Sequence, residues 1–202
     1  MPELDDELMK RFQQGEVEAF DLIVRRNRTP LVNFIARFLG DRDSAEDLAQ
    51  ETLVRMFKAA KRYRAGTAKF TTWMYHIASN LCRNELRNRG RRGRFFVDNV
   101  SIGENSSKLL ETDEDLISTA PADVSLQPEN QLERKERERV VQRAVSGLPE
   151  RYRLPLLLRD LQDRSYEEIS EILDLPLGTT KSRINRARLM LKDKLKNFVE
   201  SL

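Results

Sequence analysis

The stretch 165–194, SYEEISEILDLPLGTTKSRINRARLMLKDK, constrains this chain more than any other. Ser165 followed three residues later by Glu168 is a capping box, in which hydroxyl and carboxylate each satisfy an orphan N–H at a helix start. Ile169, Ile172 and Leu173 then share one helical face, and Asp174-Leu175-Pro176 stops the run. After Gly178, Thr179 or Thr180 is placed to cap a second helix, with Ile184, Ala187, Leu189 and Leu191 as its apolar positions. Its other positions read Lys181, Ser182, Arg183, Asn185, Arg186 and Arg188. Two surface helices with ordinary solvated charge would explain the basic residues alone. A short capped helix, a tight break and a basic polar-faced helix in that order make a helix-turn-helix, whose second helix enters the DNA major groove.

The totals set the frame for that motif. With 202 residues, 34% of them charged and 39% apolar, the chain suits small helical domains with much exposed surface. No apolar run approaches the length of a membrane span, and MPELDDELMKRF lacks the basic-then-apolar design of a secretory signal. A lone cysteine, Cys82, excludes an internal disulfide and fits a reducing cytoplasm. The net charge of +3 is segregated: +6 over residues 1–95, −7 over 96–130 and +4 over 131–202. Two basic modules around an acidic segment suggest a polyanion touched at two places.

Taken in order, residues 5–14 read as a short helix with Leu8, Met9 and Phe12 inward. A longer pattern runs from Glu16 to Leu39, and Pro30 within it predicts a kink or break. Gly40 ends it, and Asp43 or Ser44 is expected to cap the next helix, which runs to about Tyr63. That helix has an apolar stripe of Ala45, Leu48, Ala49, Leu53, Met56, Phe57 and Ala60. Asp47, Gln50, Glu51 and Val54 fall on the other side. A solvated face is the bland account of these, since acids are favoured near a helix N-terminus; a docking face for a basic partner is the functional one.

A basic loop, RYRAGTAK, leads into one long helix that starts with a threonine cap. Phe70, Trp73, Met74, Ile77, Ala78 and Leu81 point inward, whereas Thr72, His76, Ser79, Asn80, Arg83 and Arg87 line up opposite. With Arg89, Arg91, Arg92 and Arg94 beyond them, this stripe suits a phosphate backbone and exposed bases. Trp73 lies beside the apolar stripe and reads as core. His76 and Cys82 have no second His or Cys near them, so no metal site is expected. No phosphate loop or nucleophile motif occurs, so neither a cofactor nor an enzyme is expected.

Periodicity fails from about Phe96 to Gln127, which reads as a flexible acidic linker. Pro128 opens a further unit. Leu132, Val140, Val141, Ala144 and Val145 mark one helix ending near Gly147, and Leu154, Leu157, Leu158 and Leu161 another. The expected fold is all-α: two small helical domains, 1–95 and 128–202, joined by 96–127, with the helix-turn-helix in the second.

The order of these segments resembles the extracytoplasmic-function class of bacterial RNA polymerase sigma factors. The matching residues are EAFDLIVRRNRTPLVNFIARFLGD, DSAEDLAQETLVRMFKA, TTWMYHIASNLCRNELR, LPERYR and YEEISEILDLPLGTTKSRINRARLML. The resemblance implies that 1–95 is sigma region 2 and 128–202 sigma region 4. It implies that Asp47, Gln50, Glu51 and Val54 dock on the β′ coiled coil of core polymerase, with the β subunit as a further partner. It implies that Tyr63, Arg64, Lys69, Thr72, His76, Ser79, Asn80, Arg83 and Arg87 open and read the −10 element. The −35 element would be read by Thr179, Lys181, Ser182, Arg183, Asn185 and Arg186. An anti-sigma factor, cytoplasmic action and no membrane insertion follow from the same kinship. Pro155 departs from the pattern and predicts a helix that starts late or kinks, and the linker looks long and acidic. On the residues alone, an autonomous helix-turn-helix regulator and a single-strand-binding protein are the competing readings.

Overall fold

The computed structural model describes residues 4–64, 66, 69–99 and 128–200, with side chains except at 92–99, 128–135 and 197–200. The elements are α1 (Asp5–Gln13), α2 (Val17–Leu39), α3 (Arg42–Ala59), a single 3-10 turn (Ala60–Arg62), α4 (Phe70–Asn99), α5 (Pro128–Ser146), α6 (Glu150–Asp160), α7 (Tyr166–Leu173) and α8 (Leu177–Glu200). No strand occurs among the described residues, and none of their helices is long and apolar enough to cross a membrane. The all-α expectation holds. The linker expected at 96–127 lies outside the described residues except where α4 continues as helix to Asn99.

Helices α1 to α4 pack around Leu8, Met9, Ile23, Leu31, Phe34, Ile35, Phe38, Met56, Phe70 and Met74, all essentially inaccessible. Gly40 takes the left-handed conformation at φ 76° and donates its N–H to the Ala36 carbonyl at 2.8 Å, closing α2 where a side chain would be strained. Asp41, rather than Asp43 or Ser44, caps α3 by accepting from the backbone N–H groups of both at 3.1 and 3.3 Å. The sequence reading offered Asp43 or Ser44, and Asp41, the residue directly after the glycine, takes the role instead.

Helix α4 gains its N-terminal partner from afar. The Phe70 N–H donates to Asp6 Oδ1 of α1 at 3.1 Å, so an aspartate of another helix does what a local threonine was expected to do. Neither proline interrupts its helix: α2 runs unbroken through Pro30, and α6 starts at Glu150 and runs through Pro155. Pro155 is buried, and each proline removes only one ladder bond, which packing on neighbouring helices outweighs.

Helices α5 to α8 do not stand apart from α1 to α4. One apolar cluster runs through both, joining Val145, Leu154, Leu157, Leu158, Ile169, Ile172 and Leu173 to the residues of α1–α4. A smaller cluster of Leu148, Leu156 and Ala187 fixes α6 on α8. Helix α6 is therefore covered on two sides, which explains why Leu156 and Arg153 are buried while Leu161, expected inside, is 41% exposed. In α5 the expected Val141 is exposed and Gln142 is buried instead, exchanging hydrogen bonds with Arg37 of α2: its amide donates to the Arg37 carbonyl and accepts from the guanidinium, each at 3.1 Å.

Candidate nucleic-acid interface and docking face

Three candidate surfaces can be built from these helices. The capping box expected at α7 is present, with Glu168 N–H donating to Ser165 Oγ at 3.1 Å and Ser165 N–H to Glu168 Oε2 at 2.8 Å. Asp174, at φ 52°, ends α7 in the left-handed region. The following helix starts earlier than expected: α8 begins at Leu177, and Thr180 is buried in its first turn with its N–H bonded to the Pro176 carbonyl. Pro176 sits just before the first turn, where its missing N–H costs nothing, so no threonine cap is needed.

Buried Thr180, Ile184 and Ala187 define the inner face of α8. Lys181, Ser182, Asn185 and Arg186 are exposed on the other side, and Thr179 and Arg183 are half-buried. The guanidiniums of Arg186 and Arg151 near the Tyr152 hydroxyl hold that phenol below its ordinary range. Leu189, expected inside, is 64% exposed on this helix.

On α3, Asp47, Gln50, Glu51 and Val54 are all exposed. Glu51 is paired along the helix with Arg55 at 2.5 Å, an exposed pair of little energetic weight. The apolar stripe needs one correction. Phe57 is 49% exposed beside Val54, its ring at the edge of a cluster with Phe12 and Phe20 at centroid distances of 5.1 and 5.3 Å. Sequence periodicity put Phe57 inside because it shares the stripe with Leu53 and Met56, but among the described residues its ring is only partly covered, by Phe12 and Phe20.

The long helix α4 departs furthest from expectation. Tyr63 is a core residue: it is buried, stacks on Trp73 at 5.1 Å, and its hydroxyl bonds the Asp6 carboxylate. Burial and that carboxylate push its phenol well above the ordinary range. Trp73 is half-buried against the core, as expected. Arg64 and Arg87 are exposed, whereas Arg89 is committed to Asp41 at 2.7 Å and Glu85 at 2.9 Å and is no part of a free basic cluster. Cys82 is buried, its thiol pushed up to about 12 chiefly by burial, and no group of metal-ligating side chains forms among the described residues.

Part of the polar stripe of α4 is covered by α6, α7 and the residues that flank them. Lys69 Nζ lies 2.9 Å from Glu168 Oε1, His76 Nε2 3.3 Å from Asp174 Oδ2, and Arg83 Nε 3.5 Å from Glu150 Oε1. Arg164 donates to Thr71 Oγ1 at 2.9 Å, and the Tyr75 hydroxyl bonds Gln162. Asn80 is held between His76 at 3.4 Å and Arg83 at 3.3 Å. Thr72 and Ser79, at helical steps from His76 and Arg83, are buried, and their hydroxyls have no hydrogen-bond partner among the described residues. An orphaned buried hydroxyl costs about 1–3 kcal/mol, so this packing is not the arrangement that satisfies the stripe best. Beside it, Arg83, Arg183, Leu154, Pro155 and Leu173 are among the residues lining a cleft of about 510 Å³. The partners missed by sequence reasoning, Glu150, Gln162, Arg164, Glu168 and Asp174, all belong to α6, α7 and their flanks. Only Glu168 carried a signal, and that signal concerned its cap.

Comparison with known proteins covers both halves of the chain. Residues 23–92 match Sigma-70 region 2 and residues 138–191 match Sigma-70 region 4. The chain is 35% identical over 192 residues to the ECF RNA polymerase sigma-E factor of Haemophilus influenzae, covering 95% of each chain. It is 36% identical to the RNA polymerase sigma-H factor of Pseudomonas aeruginosa, covering 92% of this chain and 91% of the relative. Its fold is similar to that of the sigma factor RpoE crystallised with the anti-sigma factor NepR of Bartonella quintana, with a TM-score of 0.64, 24% identity, and 88% and 96% of the two chains covered. The sigma factor fold, the two matched regions and the long alignments leave one conclusion: this chain belongs to the extracytoplasmic-function sigma factors of bacterial RNA polymerase.

Proposed function

We propose that residues 1–95 bind core polymerase through the α3 face of Asp47, Gln50, Glu51 and Val54, and open the −10 element with the loop and polar stripe of α4. Residues 128–202 read the −35 element as duplex through α8, and 96–127 link the two. Family membership makes the chain a promoter-selecting initiation factor and not an enzyme, and it replaces the autonomous regulator. The partners are the β′ coiled coil and β subunit, promoter DNA and an anti-sigma factor, and the protein works in the cytoplasm where polymerase is. Structures of similar fold being sigma factors crystallised with anti-sigma proteins supports the last partner.

The observation that carries the −35 reading is the exposed row Lys181, Ser182, Asn185 and Arg186, opposite buried Thr180, Ile184 and Ala187. Guanidinium and amide groups at steps of three and four read base edges, and lysines add affinity without sequence. Arg186→Ala should cut initiation from a −35-dependent promoter about fivefold to a hundredfold, the range of one forked guanine contact. Run-off transcription with purified core enzyme on a promoter library measures this and tests the whole reading. No transcript from any promoter would overturn it.

The same reading requires the chain to open. The −10 and −35 elements lie about 25 base pairs apart, roughly 85 Å of duplex. A compact 202-residue chain has a radius of gyration of about 16 Å, far too small to reach both with its two readers packed together. The 28 residues 100–127 could span at most roughly 95 Å, enough to let them separate.

A further inference from the structure

We propose that α6 and α7 carry an internal stand-in for the promoter strand, which keeps the −10 face of α4 occupied until polymerase and DNA displace it. This rests on the assignment of that face to −10 DNA. Three of the five basic or imidazole side chains of the face each meet a carboxylate from the other half of the chain: Lys69 with Glu168, His76 with Asp174, Arg83 with Glu150, while Arg64 and Arg87 stay exposed. The carboxylates come from three separate places, the N-terminal turn of α6, the N-terminal turn of α7 and the end of α7, and converge on one stripe. Apolar contact joins the two halves, and the three acid–base meetings lie along the polar stripe beside it.

The charge alone does not make the mimic; the unmatched groups complete it. Thr72 and Ser79 are buried in this stripe without a hydrogen-bond partner among the described residues. The stand-in therefore neutralises three of the cations but leaves the hydroxyls that a nucleotide could satisfy. Such an imperfect competitor holds the face and still yields to the true ligand. The −35 row of α8 is exposed in the same structure. Off polymerase, the chain thus withholds its −10 face while its −35 face stays open.

Because apparent affinity scales with the competent fraction, weakening the stand-in should raise strand binding by the free protein. Glu168 also caps α7, so the test uses Asp174→Asn, which tolerates the left-handed backbone, with Glu150→Gln. Two partly exposed pairs predict about threefold to tenfold tighter anisotropy binding of single-stranded −10 oligonucleotides without core enzyme. Transcription with core enzyme should be retained. In parallel, zero-length carbodiimide coupling of the Lys69 amine to the Glu168 carboxylate, read by mass spectrometry, reports the closed arrangement. The coupled peptide should form in the wild-type chain, fall in the double variant, and disappear when core enzyme and promoter are added. No coupling in the wild type, or coupling undiminished in the variant, would overturn the stand-in. Reduced coupling with no gain in strand binding would instead overturn the −10 assignment, as would a gain that survives Arg83→Ala.

Discussion

Replacing Arg153 by alanine should destabilise the protein by about 3–5 kcal/mol, as much as truncating a buried aromatic of the core. Its guanidinium is only 8% exposed and meets no carboxylate within salt-bridge distance among the described residues. It is satisfied by carbonyls: Nη1 donates to Phe38 at 2.7 Å, Nη2 to Leu148 at 2.8 Å and also to Ser146, and Nε to Leu148 at 3.2 Å. Phe38 lies in the last turn of α2 and Ser146 ends α5, so one fork answers the negative ends of two helices. It also lies over the Phe38 ring at 5.3 Å. Burial pulls its proton affinity down, yet a guanidinium remains charged.

Removing the fork leaves three carbonyls short of a donor, at about 1–3 kcal/mol each before water enters. For a chain of this size the loss corresponds to roughly 10 °C in Tm. Arg153→Lys should recover less than half of it, because an ammonium cannot present a planar fork to three carbonyls. Calorimetry on the three proteins decides the matter. A drop below about 1 kcal/mol for alanine would mean that water replaces the fork at little cost.

Arg153 also shows what the sequence could and could not say. LPERYR was conspicuous as part of a family pattern, but nothing local indicated that its last residue reaches back to Phe38, 115 positions earlier. Features closed within one turn were readable: the Ser165–Glu168 capping box, Gly40 at the end of α2 and the exposed acids of α3. Features decided by distant elements were not. Periodicity correctly divided α4 into an apolar and a polar stripe, but it carries no information on whether a second half of the chain lies on the polar one. Hence Thr72 and Ser79 were read as exposed and are buried. Tyr63 was read as loop because RYRAGTAK is basic, whereas Asp6 and Trp73 draw it inward. Pro30 was read as a kink or break and Pro155 as a late start or kink on local stereochemistry, yet α2 runs on through Pro30, and α6 starts at Glu150 and runs on through Pro155.

The double substitution Asp47→Lys/Glu51→Lys should weaken binding to core polymerase at least a hundredfold while leaving Tm nearly unchanged. Both carboxylates are exposed and lie outside the apolar stripe, so the fold loses only the Glu51–Arg55 pair and a little helix-end electrostatics. Binding loses far more. Reversal turns two attractive charges into repulsive ones against a basic partner helix, and like-charge juxtaposition at an interface costs several kcal/mol. Part of the loss should appear in the association rate and shrink at high salt, since steering is screened. Val54 and the half-exposed Phe57 stay in place, so residual salt-insensitive affinity would measure what the apolar part of the face contributes. Because α3 lies away from α7, the Lys69–Glu168 coupling should be the same in the variant as in the wild type. Retained polymerase binding in a pull-down at physiological salt would remove α3 as the docking helix. Loss of both binding and Tm would instead show that the acids serve the fold.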